Sequence, residues 1–202
     1  MATTRQIFIR QGLQYMELNE YLKHALARAG YVDVQVFKTP IGTRIVIFAE
    51  RPALVIGRKG QNIKALSSIL SRKFGIENPQ IDVHEVRNPE LNAKIMAYRI
   101  ARALARGVKF RRAAHIALRR IMEAGAKGAE IVISGKLTSE RARFEKFTAG
   151  IIPKSGKPRE MYVDEAVIQV LLKPGTYGVK VRIVPPIEFP DRIKIKEPET
   201  SG

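Results

Sequence analysis

The sequence contains no cysteine, which excludes disulfide bonds, cysteine-containing zinc sites and thiol catalysis. Its hydrophobic runs are short, and none approaches the ~18 residues that a membrane-spanning helix requires. The N-terminal residues, Met1 to Gln6, open no hydrophobic signal region. We therefore expect a cytosolic protein that has no membrane partner.

Signatures of catalysis are also missing. The three histidines, His24, His84 and His115, lie far apart in sequence and show no ligand spacing of the zinc-site kind. No G-x-S-x-G motif is present. The stretch 150–158 (GIIPKSGKP) is the nearest approach to a phosphate-binding loop, but it has five residues between its glycines instead of four and lacks the final Ser or Thr. We expect no catalytic residue, no metal site, no cofactor and no small-molecule substrate, and predict that the protein is not an enzyme.

Negative charge is scarce. The 202 residues include 36 Lys and Arg against 19 Asp and Glu, which gives a formal net charge of +17. This excess of positive charge repels itself in the folded state, and a polyanion relieves the repulsion and gains counterion-release entropy on binding. Nucleic acid is therefore the first partner to consider, and an anionic membrane is the second. Hydrophobic residues make up 45% of the chain, enough for one large or two small domains.

The N-terminal segment predicts a helix and a β-hairpin. Apolar residues recur at helical spacing over 17–29, and Gly30 ends this helix. Alternation over 32–36 and a largely apolar run over 43–49 predict two strands. The residues between them, 39–42, contain the Pro and Gly of a turn, so the two strands should pair.

A second helical unit and a third strand follow. A short apolar stretch at 53–56 precedes a glycine-bearing loop, and a helix is predicted over 61–74 and stops at Gly75. The buried face of this helix is expected to carry Ile63, Leu66, Ile69, Leu70 and Phe74. Alternation at 81–84 predicts the third strand. The resulting order of elements fits the KH domain whose third strand comes last.

A second domain is predicted after this strand. Asn88 can cap a helix and Pro89 suits its first position. Two helices, over about 89–106 and 108–124, are joined at Gly107. Strands are predicted further on, at 129–134, 166–172 and 179–184.

These elements together predict an α+β protein with three parts. They are a type II KH domain with an N-terminal helical extension (1–87), an α+β domain with two helices packed on a mixed or antiparallel sheet (88–184), and an extended tail (185–202). The basic segment 136–160 is weakly periodic and too long for a simple connection, and such loops are often functional or disordered.

The loop Gly57-Arg58-Lys59-Gly60 lies between two predicted helices. Both glycines lack a Cβ, so the backbone can approach a ligand closely. Gly60 opens a helix whose free N–H groups and dipole favour phosphate, and Arg58 and Lys59 add positive charge at the same point. This pattern predicts the loop with which a KH domain clamps a nucleic-acid backbone. The alternative is a tight turn between helices with incidental charge.

The two helices after residue 88 are strongly basic. From Lys94 to Lys127 there are ten Lys or Arg against one acid, Glu123, whereas a solvated helix usually mixes charges. At about 100° per residue, one arc of the second helix collects Arg111, Arg112, His115 and Arg119. One stripe of the first helix collects Arg99, Arg102 and Arg106. Further candidates for contact with RNA are Lys109, Lys136, Arg141 and Arg143. The alternative is that these charges only keep the surface soluble.

Three segments resemble the family of the third protein of the small ribosomal subunit, in its archaeal and eukaryotic-type branch. They read ERPALVIGRKGQNI (50–63), VKFRRAAHIALRRIMEAGAKGAEIVISGKL (108–137) and GVKVRIV (178–184). The resemblance runs over nearly all of 1–184 and implies a type II KH domain followed by a C-terminal α+β domain. It implies a structural protein on the solvent side of the subunit head, bound to ribosomal RNA and to neighbouring head proteins.

The resemblance also implies a wall of the channel by which messenger RNA enters the subunit. In the family, basic residues of the FRR segment face incoming messenger and are tied to the opening of its secondary structure. That role carries over to Arg111 and Arg112. The third basic position, a Lys in bacterial relatives, is His115 here, and a neutral imidazole would weaken the contact. Arg side chains that hold single-stranded phosphates would favour the unpaired strand during translocation, so no ATP site is needed.

Two other functions fit parts of the sequence. A free-standing KH regulator would bind short single-stranded RNA sites, since a KH loop grips only about four nucleotides. Charge spread over the whole second half favours a larger, fixed RNA surface instead. A nucleic-acid enzyme, such as a repair lyase or nuclease, would need a reactive Lys or a metal geometry that the sequence does not indicate.

Overall fold

The structure, a computed structural model, describes residues 4–39 and 42–187 and contains two β-sheets, each with its own hydrophobic core. The predicted turn residues Pro40 and Ile41, and the predicted tail from residue 188 onward, lie outside the described residues. The exact limits of the two domains and the tail stay a prediction.

The N-terminal sheet has three strands, β1 (Tyr31–Thr39), β2 (Gly42–Ala49) and β3 (Gln80–Glu85). Strands β1 and β2 are antiparallel, with Thr39 opposite Gly42, and β3 pairs with β2 in parallel. The predicted hairpin and third strand are confirmed. A parallel pair needs a long crossover connection, which here consists of helix α2 (Pro52–Ile56), the glycine loop and helix α3 (Gln61–Phe74). The crossover therefore carries the loop to one end of the sheet.

The first helix is longer than the sequence pattern predicted. Helix α1 spans Thr4–Ala25 rather than 17–29, and a separate 3-10 turn at Ala27–Ala29 leads to Gly30, which is left-handed. Only its C-terminal half is anchored in the core, through Leu18 and Leu22. The N-terminal half instead exposes Phe8, Ile9 and Leu13, and Met16 just beyond it is exposed as well. Periodicity missed these turns because they bury no apolar stripe within this chain.

Helices α1 and α3 contribute to one core with the N-terminal sheet. Its largest fully buried side chains are Leu22, Val34, Ile45, Ile47 and Leu70. Helix α3 has the predicted bounds, and Leu66 and Leu70 are buried as expected, but Ile69 is exposed. Leu66 and Leu70 are one turn apart and mark the centre of the buried stripe, whereas Ile69 is rotated about 100° from Leu70 and falls outside it.

The C-terminal sheet is antiparallel, in the order β5-β4-β7-β6. Its strands are β4 (Gly128–Gly135), β5 (Arg143–Gly150), β6 (Asp164–Leu172) and β7 (Gly175–Val184). Helices α4 (Ala93–Ala105) and α5 (Phe110–Glu123) pack on the sheet and share its core. The predicted α+β fold, with two helices on a sheet in the second half, is confirmed.

The start of α4 differs from the prediction. The pattern placed a cap at Asn88 and a helix from Pro89, but Pro89–Leu91 is a 3-10 turn and α4 begins only at Ala93. The side-chain Oδ1 of Asn92 accepts hydrogen bonds from the N–H groups of Lys94 and Ile95, at 3.1 and 3.2 Å. Asn92 is therefore the functional cap, because it satisfies two donors of the first turn that would otherwise lack a partner.

The segment 136–160 is not the irregular loop that its weak periodicity indicated. It contains β5 and a short helix, α6 (Gly156–Tyr162). Strand β5 lies at the edge of the sheet and pairs only with β4. An edge strand needs few buried apolar residues, so its pattern was too weak to detect.

Helix α4 joins the two domains through an ion-pair cluster that we call the Arg99 clamp. Arg99 Nη2 lies 3.0 Å from Glu50 Oε1 at the end of β2, and Arg99 Nη1 lies 2.8 Å from Glu90 Oε1. On the same helix, Lys94 Nζ donates to the Val32 carbonyl of β1 at 2.8 Å. Arg102 Nη2 donates to the Arg28 carbonyl at 3.3 Å. Charge-assisted bonds are among the stronger hydrogen bonds, so they hold the N-terminal sheet against α4.

We expect Arg99→Gln to lower the free energy of unfolding by about 1–3 kcal/mol, as measured by urea denaturation. The substitution removes both ion pairs and leaves Glu50, whose side chain is only 13% exposed, without its closest cation. Arg106→Gln is the matched control, because Arg106 is exposed on the same helical stripe and pairs with no carboxylate among the described residues. The control should change stability by less than about 0.5 kcal/mol. Equal losses for the two variants would contradict a clamp.

The clamp should also make stability depend on pH. The hydrogen bond from Arg99 is the main reason that the pKa of Glu90 lies below its ordinary value of 4.5. The stabilisation by such a carboxylate is present above the unfolded pKa and is lost as pH falls through the lower folded pKa. Glu90→Gln should therefore be less stable than the native protein at neutral pH, and this difference should shrink below about pH 4.5. Urea denaturation across that range tests it, and a constant difference would contradict the linkage.

Candidate nucleic-acid interface

The predicted KH loop adopts a conformation that requires its glycines. Gly57 has φ 73° and ψ 177°, a region essentially restricted to glycine, and a Cβ there would come within 2.6 Å of the Asn62 side chain. Gly60 is left-handed, with φ 72°. Lys59 between them also has a positive φ, of 53°. The loop thus turns sharply between α2 and α3 and presents its backbone to solvent.

The side chains around this loop are suited to a polyanion that carries bases. Arg58 and Lys59 are exposed and form no ion pair with a carboxylate of the described residues. Leu54 and Ile56, on α2 immediately before the loop, are 47% and 40% exposed. The loop therefore combines accessible backbone, two cations and an apolar shoulder, which are the components of a phosphate clamp beside a base-binding surface.

Helix α5 presents its basic residues to solvent because its opposite face is fixed in the core. The buried residues of that face are Ala113, Ala114, Ala117 and Ile121. The exposed side chains that we call the α5 basic face are Arg111, Arg112, His115 and Arg119, as the helical arc predicted. The structure therefore brings these four predicted site residues together on one surface.

The four members of the α5 basic face differ in their partners. Arg111 makes a bidentate ion pair with Glu145 on β5, with Nε 3.0 Å from Oε2 and Nη2 2.8 Å from Oε1. The hydrogen bond from Arg111 is the main cause that lowers the pKa of Glu145. Arg112 and Arg119 form no ion pair with any carboxylate in the described part of the chain. They are therefore the members whose charge is not offset.

His115 is held by an aromatic contact. Its ring meets the Phe147 ring edge-on, with centroids 5.1 Å apart and planes at 74°. Phe147 and Glu145 both point from β5 toward α5, and sequence reasoning missed both because it missed the strand. Residues 145, 147 and 149 are partly buried in alternation, but they are Glu, Phe and Ala, so the sequence carries only a weak strand signal here.

The remaining predicted RNA contacts lie in three places. Arg99 and Arg102 face the N-terminal domain, as described above, so the stripe on α4 is not one outward surface as expected. Arg106 and Lys109 are exposed where α4 meets α5. Lys136 and Arg141 are exposed on the connection from β4 to β5, and Arg143 is exposed at the first position of β5. Contact with RNA stays a prediction for all seven side chains.

Over residues 4–39 and 42–187, no three His, Asp or Glu side chains come together as ligands for a metal ion. Nor does any helix in those ranges have the length and hydropathy to cross a membrane. The ring of His84 stacks on that of Phe48, with centroids 5.9 Å apart, and so lies apart from His115.

Comparison with known proteins gives a consistent assignment. A family model described as a KH domain matches residues 17–91, and one described as ribosomal protein S3, C-terminal domain, matches residues 100–183. The small ribosomal subunit protein uS3 of Thermofilum pendens is 67% identical over 196 residues, which cover 97% of both chains. That of Saccharolobus solfataricus is 51% identical over 98% of this chain and 86% of its own. That of Pyrobaculum calidifontis is 56% identical over 90% of this chain and 86% of its own. With both domains matched in the predicted order, this chain belongs to the small ribosomal subunit protein uS3 family, whose members are structural, non-enzymatic proteins.

Proposed function

We propose that this chain is a structural component of the small ribosomal subunit, located in the subunit head and bound to ribosomal RNA and to neighbouring head proteins in the cytoplasm. The names of its relatives and the net charge of +17 support this proposal. Its strongest structural support is the α5 basic face, where Arg112 and Arg119 have no carboxylate partner among the described residues. A surface of this kind is suited to phosphate, because the planar guanidinium matches its oxygens.

The spread of basic surfaces favours a fixed ribosomal position over a free-standing KH regulator. Both domains carry exposed cations, and the Arg99 clamp holds the two domains together. The KH loop supplies Arg58 and Lys59, and the second domain supplies Arg106, Lys109, Lys136, Arg141 and Arg143. A KH loop alone needs only about four nucleotides, so a regulator would gain little from this second surface.

The α5 basic face is our candidate for the wall of the channel by which messenger RNA enters. Arg112 and Arg119 would hold phosphates of the incoming strand, and Arg111 is oriented beside them by Glu145. A surface that binds the unpaired strand better than the duplex shifts the equilibrium toward the unpaired form. Translocation supplies the work, so the protein needs no ATP site to aid unwinding.

We expect the double variant Arg112→Glu, Arg119→Glu to slow translation through messengers with a stable hairpin, and to leave unstructured messengers nearly unaffected. Reversed charges repel the phosphates and remove the preference for the unpaired strand. Translation rates from purified components, with a structured and an unstructured messenger, measure the effect. Equal slowing on both messengers, or none on either, would refute the unwinding role.

The matched control for this experiment is Lys154→Glu, Lys157→Glu. It makes the same change of charge at exposed positions away from α5. Each protein is first shown by sucrose gradient to migrate with the small subunit in magnesium. Recovery of the native protein only near the top of the gradient would refute the ribosomal proposal and favour the KH regulator.

Because Glu145 offsets part of its charge, Arg111 should contribute less to RNA affinity than Arg112 does. We expect Arg111→Ala to raise the Kd for single-stranded RNA less than Arg112→Ala. In a Glu145→Gln background, the cost of Arg111→Ala should rise toward that of Arg112→Ala. Fluorescence anisotropy over a range of salt measures both, and each lost phosphate contact should reduce the salt slope by about 0.7. The same cost of Arg111→Ala in both backgrounds would show that the pair does not screen Arg111.

A further inference from the structure

A groove lies where the junction of α4 and α5 approaches two hairpin connections of the C-terminal sheet. Its walls are the junction itself (104–111), the start of the β4–β5 connection (137–138) and the β6–β7 turn with its flanks (172–174). Its volume is about 770 Å³, within the range of roughly 300–1,000 Å³ that is typical of small-molecule sites. The groove lies outside the KH loop.

The lining of this groove, which we call the junction groove, divides into an apolar floor and a basic rim. Apolar side chains of the floor include Leu104, Val108, Leu137 and Leu172. Cations of the rim are Arg106, Lys109, Arg111 and Lys173, and the lining contains no Asp or Glu. An apolar ligand alone would gain nothing from four cations, and a simple anion would gain nothing from the floor. The groove is therefore suited to a ligand that has both an apolar part and an anionic part.

We propose that the junction groove binds one unpaired nucleotide of single-stranded RNA, with its base against the apolar floor and the Arg111 guanidinium, and its flanking phosphates on the other rim cations. This inference rests on the proposed function, since it places the nucleotide within the same incoming strand. The groove is continuous with the α5 basic face, because Arg111 belongs to both. A strand whose phosphates follow Arg112 and Arg119 reaches the groove at the N-terminal end of α5.

The guanidinium of Arg111 is held in an orientation in which a base can stack on it. Its guanidinium lies over the Phe110 ring, 5.6 Å from the ring centroid, and Glu145 fixes the plane of the fork by two hydrogen bonds. Bases stack on guanidinium planes as they do on aromatic rings. A plane that is already held loses little conformational freedom when a base stacks on it.

The groove offers little that would distinguish one base from another. The Tyr177 hydroxyl already donates to the Lys136 carbonyl, and Thr138 supplies a further hydroxyl among the lining residues. Apolar contact and stacking depend on the face of a base and not on its hydrogen-bonding edge. The groove should therefore accept any base and act by withholding it from pairing, which adds to the effect of the phosphate contacts.

The test compares two fluorescent single-stranded oligoribonucleotides, one complete and one with abasic sites in place of its bases, by anisotropy with the full chain. Thr138→Met narrows the groove from an exposed position without adding an aromatic ring on which a base could stack, and Thr148→Met on β5 is the matched control. All proteins in this test carry Arg58→Ala and Lys59→Ala, so that the KH loop adds little base-dependent affinity. We expect this background protein and the Thr148→Met control to bind the complete oligonucleotide about fivefold or more tightly than the abasic one. Thr138→Met should lose much of this preference and keep its affinity for the abasic strand. An undiminished preference in Thr138→Met would overturn the proposal.

A second measurement needs no variant. A 4-thiouridine oligonucleotide irradiated on the native protein should crosslink to peptides that contain 104–111, 137–138 or 172–174, and crosslinks confined to other peptides would overturn the proposal. The double variant Arg112→Glu, Arg119→Glu separates this inference from the proposed function. If that variant binds both oligonucleotides more weakly and the native protein gives no crosslink in the groove, the groove proposal is refuted and the α5 basic face is retained. Unchanged binding of both refutes the α5 basic face.

Discussion

The Arg99 clamp is the interaction on which the relation between the two domains depends. Arg99 reaches from α4 to Glu50 at the end of β2, and the chain continues from Glu50 directly into α2 and the KH loop. The second arm of the same guanidinium holds Glu90, just before α4 begins. Because α4 and α5 share one core, the half-buried Arg99 guanidinium helps to relate the position of the loop to that of the α5 basic face. Two basic surfaces that are held in this way form one extended surface, as the proposed fixed place on a large RNA requires.

Two acidic residues of the C-terminal sheet, Glu130 and Glu165, organise the cations around them. Glu130, only 3% exposed, accepts a hydrogen bond from Arg182 at 3.1 Å, and Lys146 Nζ lies 3.2 Å from its other oxygen as an ion pair outside hydrogen-bond geometry. Glu165 binds Lys180 and Arg182, and the hydrogen bond from Lys180 is the main cause that lowers its pKa. Carboxylates thus fix the cations of the sheet and of the domain boundary. Exposed cations that have no such partner among the described residues include Arg112 and Arg119 on α5, those of the KH loop, and Arg106, Lys109 and Lys173 at the junction groove, where a polyanion can neutralise them.

Much of the fold could be predicted from the sequence because most elements bury a periodic apolar face. Helix α3, the hairpin β1–β2 and the outward face of α5 all follow from that pattern. The pattern failed for the first turns of α1 and for β5, because neither buries a full stripe within this chain. It also placed a helix cap at Asn88 where Asn92 performs that role, since both residues satisfy the same local rule and only the surrounding packing distinguishes them.

The sequence by itself determined the two-domain α+β architecture, the KH loop and the identity of the basic residues. Apolar periodicity, glycine spacing and residue charge can all be read from short stretches of the chain. Only the tertiary structure decided which of those cations face solvent. Arg99 and Arg111 resemble Arg112 in sequence, yet the fold brings Glu50 and Glu90 to the first and Glu145 to the second. The partners Glu50 and Glu145 lie 49 and 34 residues away, and such distant pairings depend on sheet register and on helix docking. Neither is encoded in the residues beside the arginine itself, so the charge available to RNA is a property of the fold.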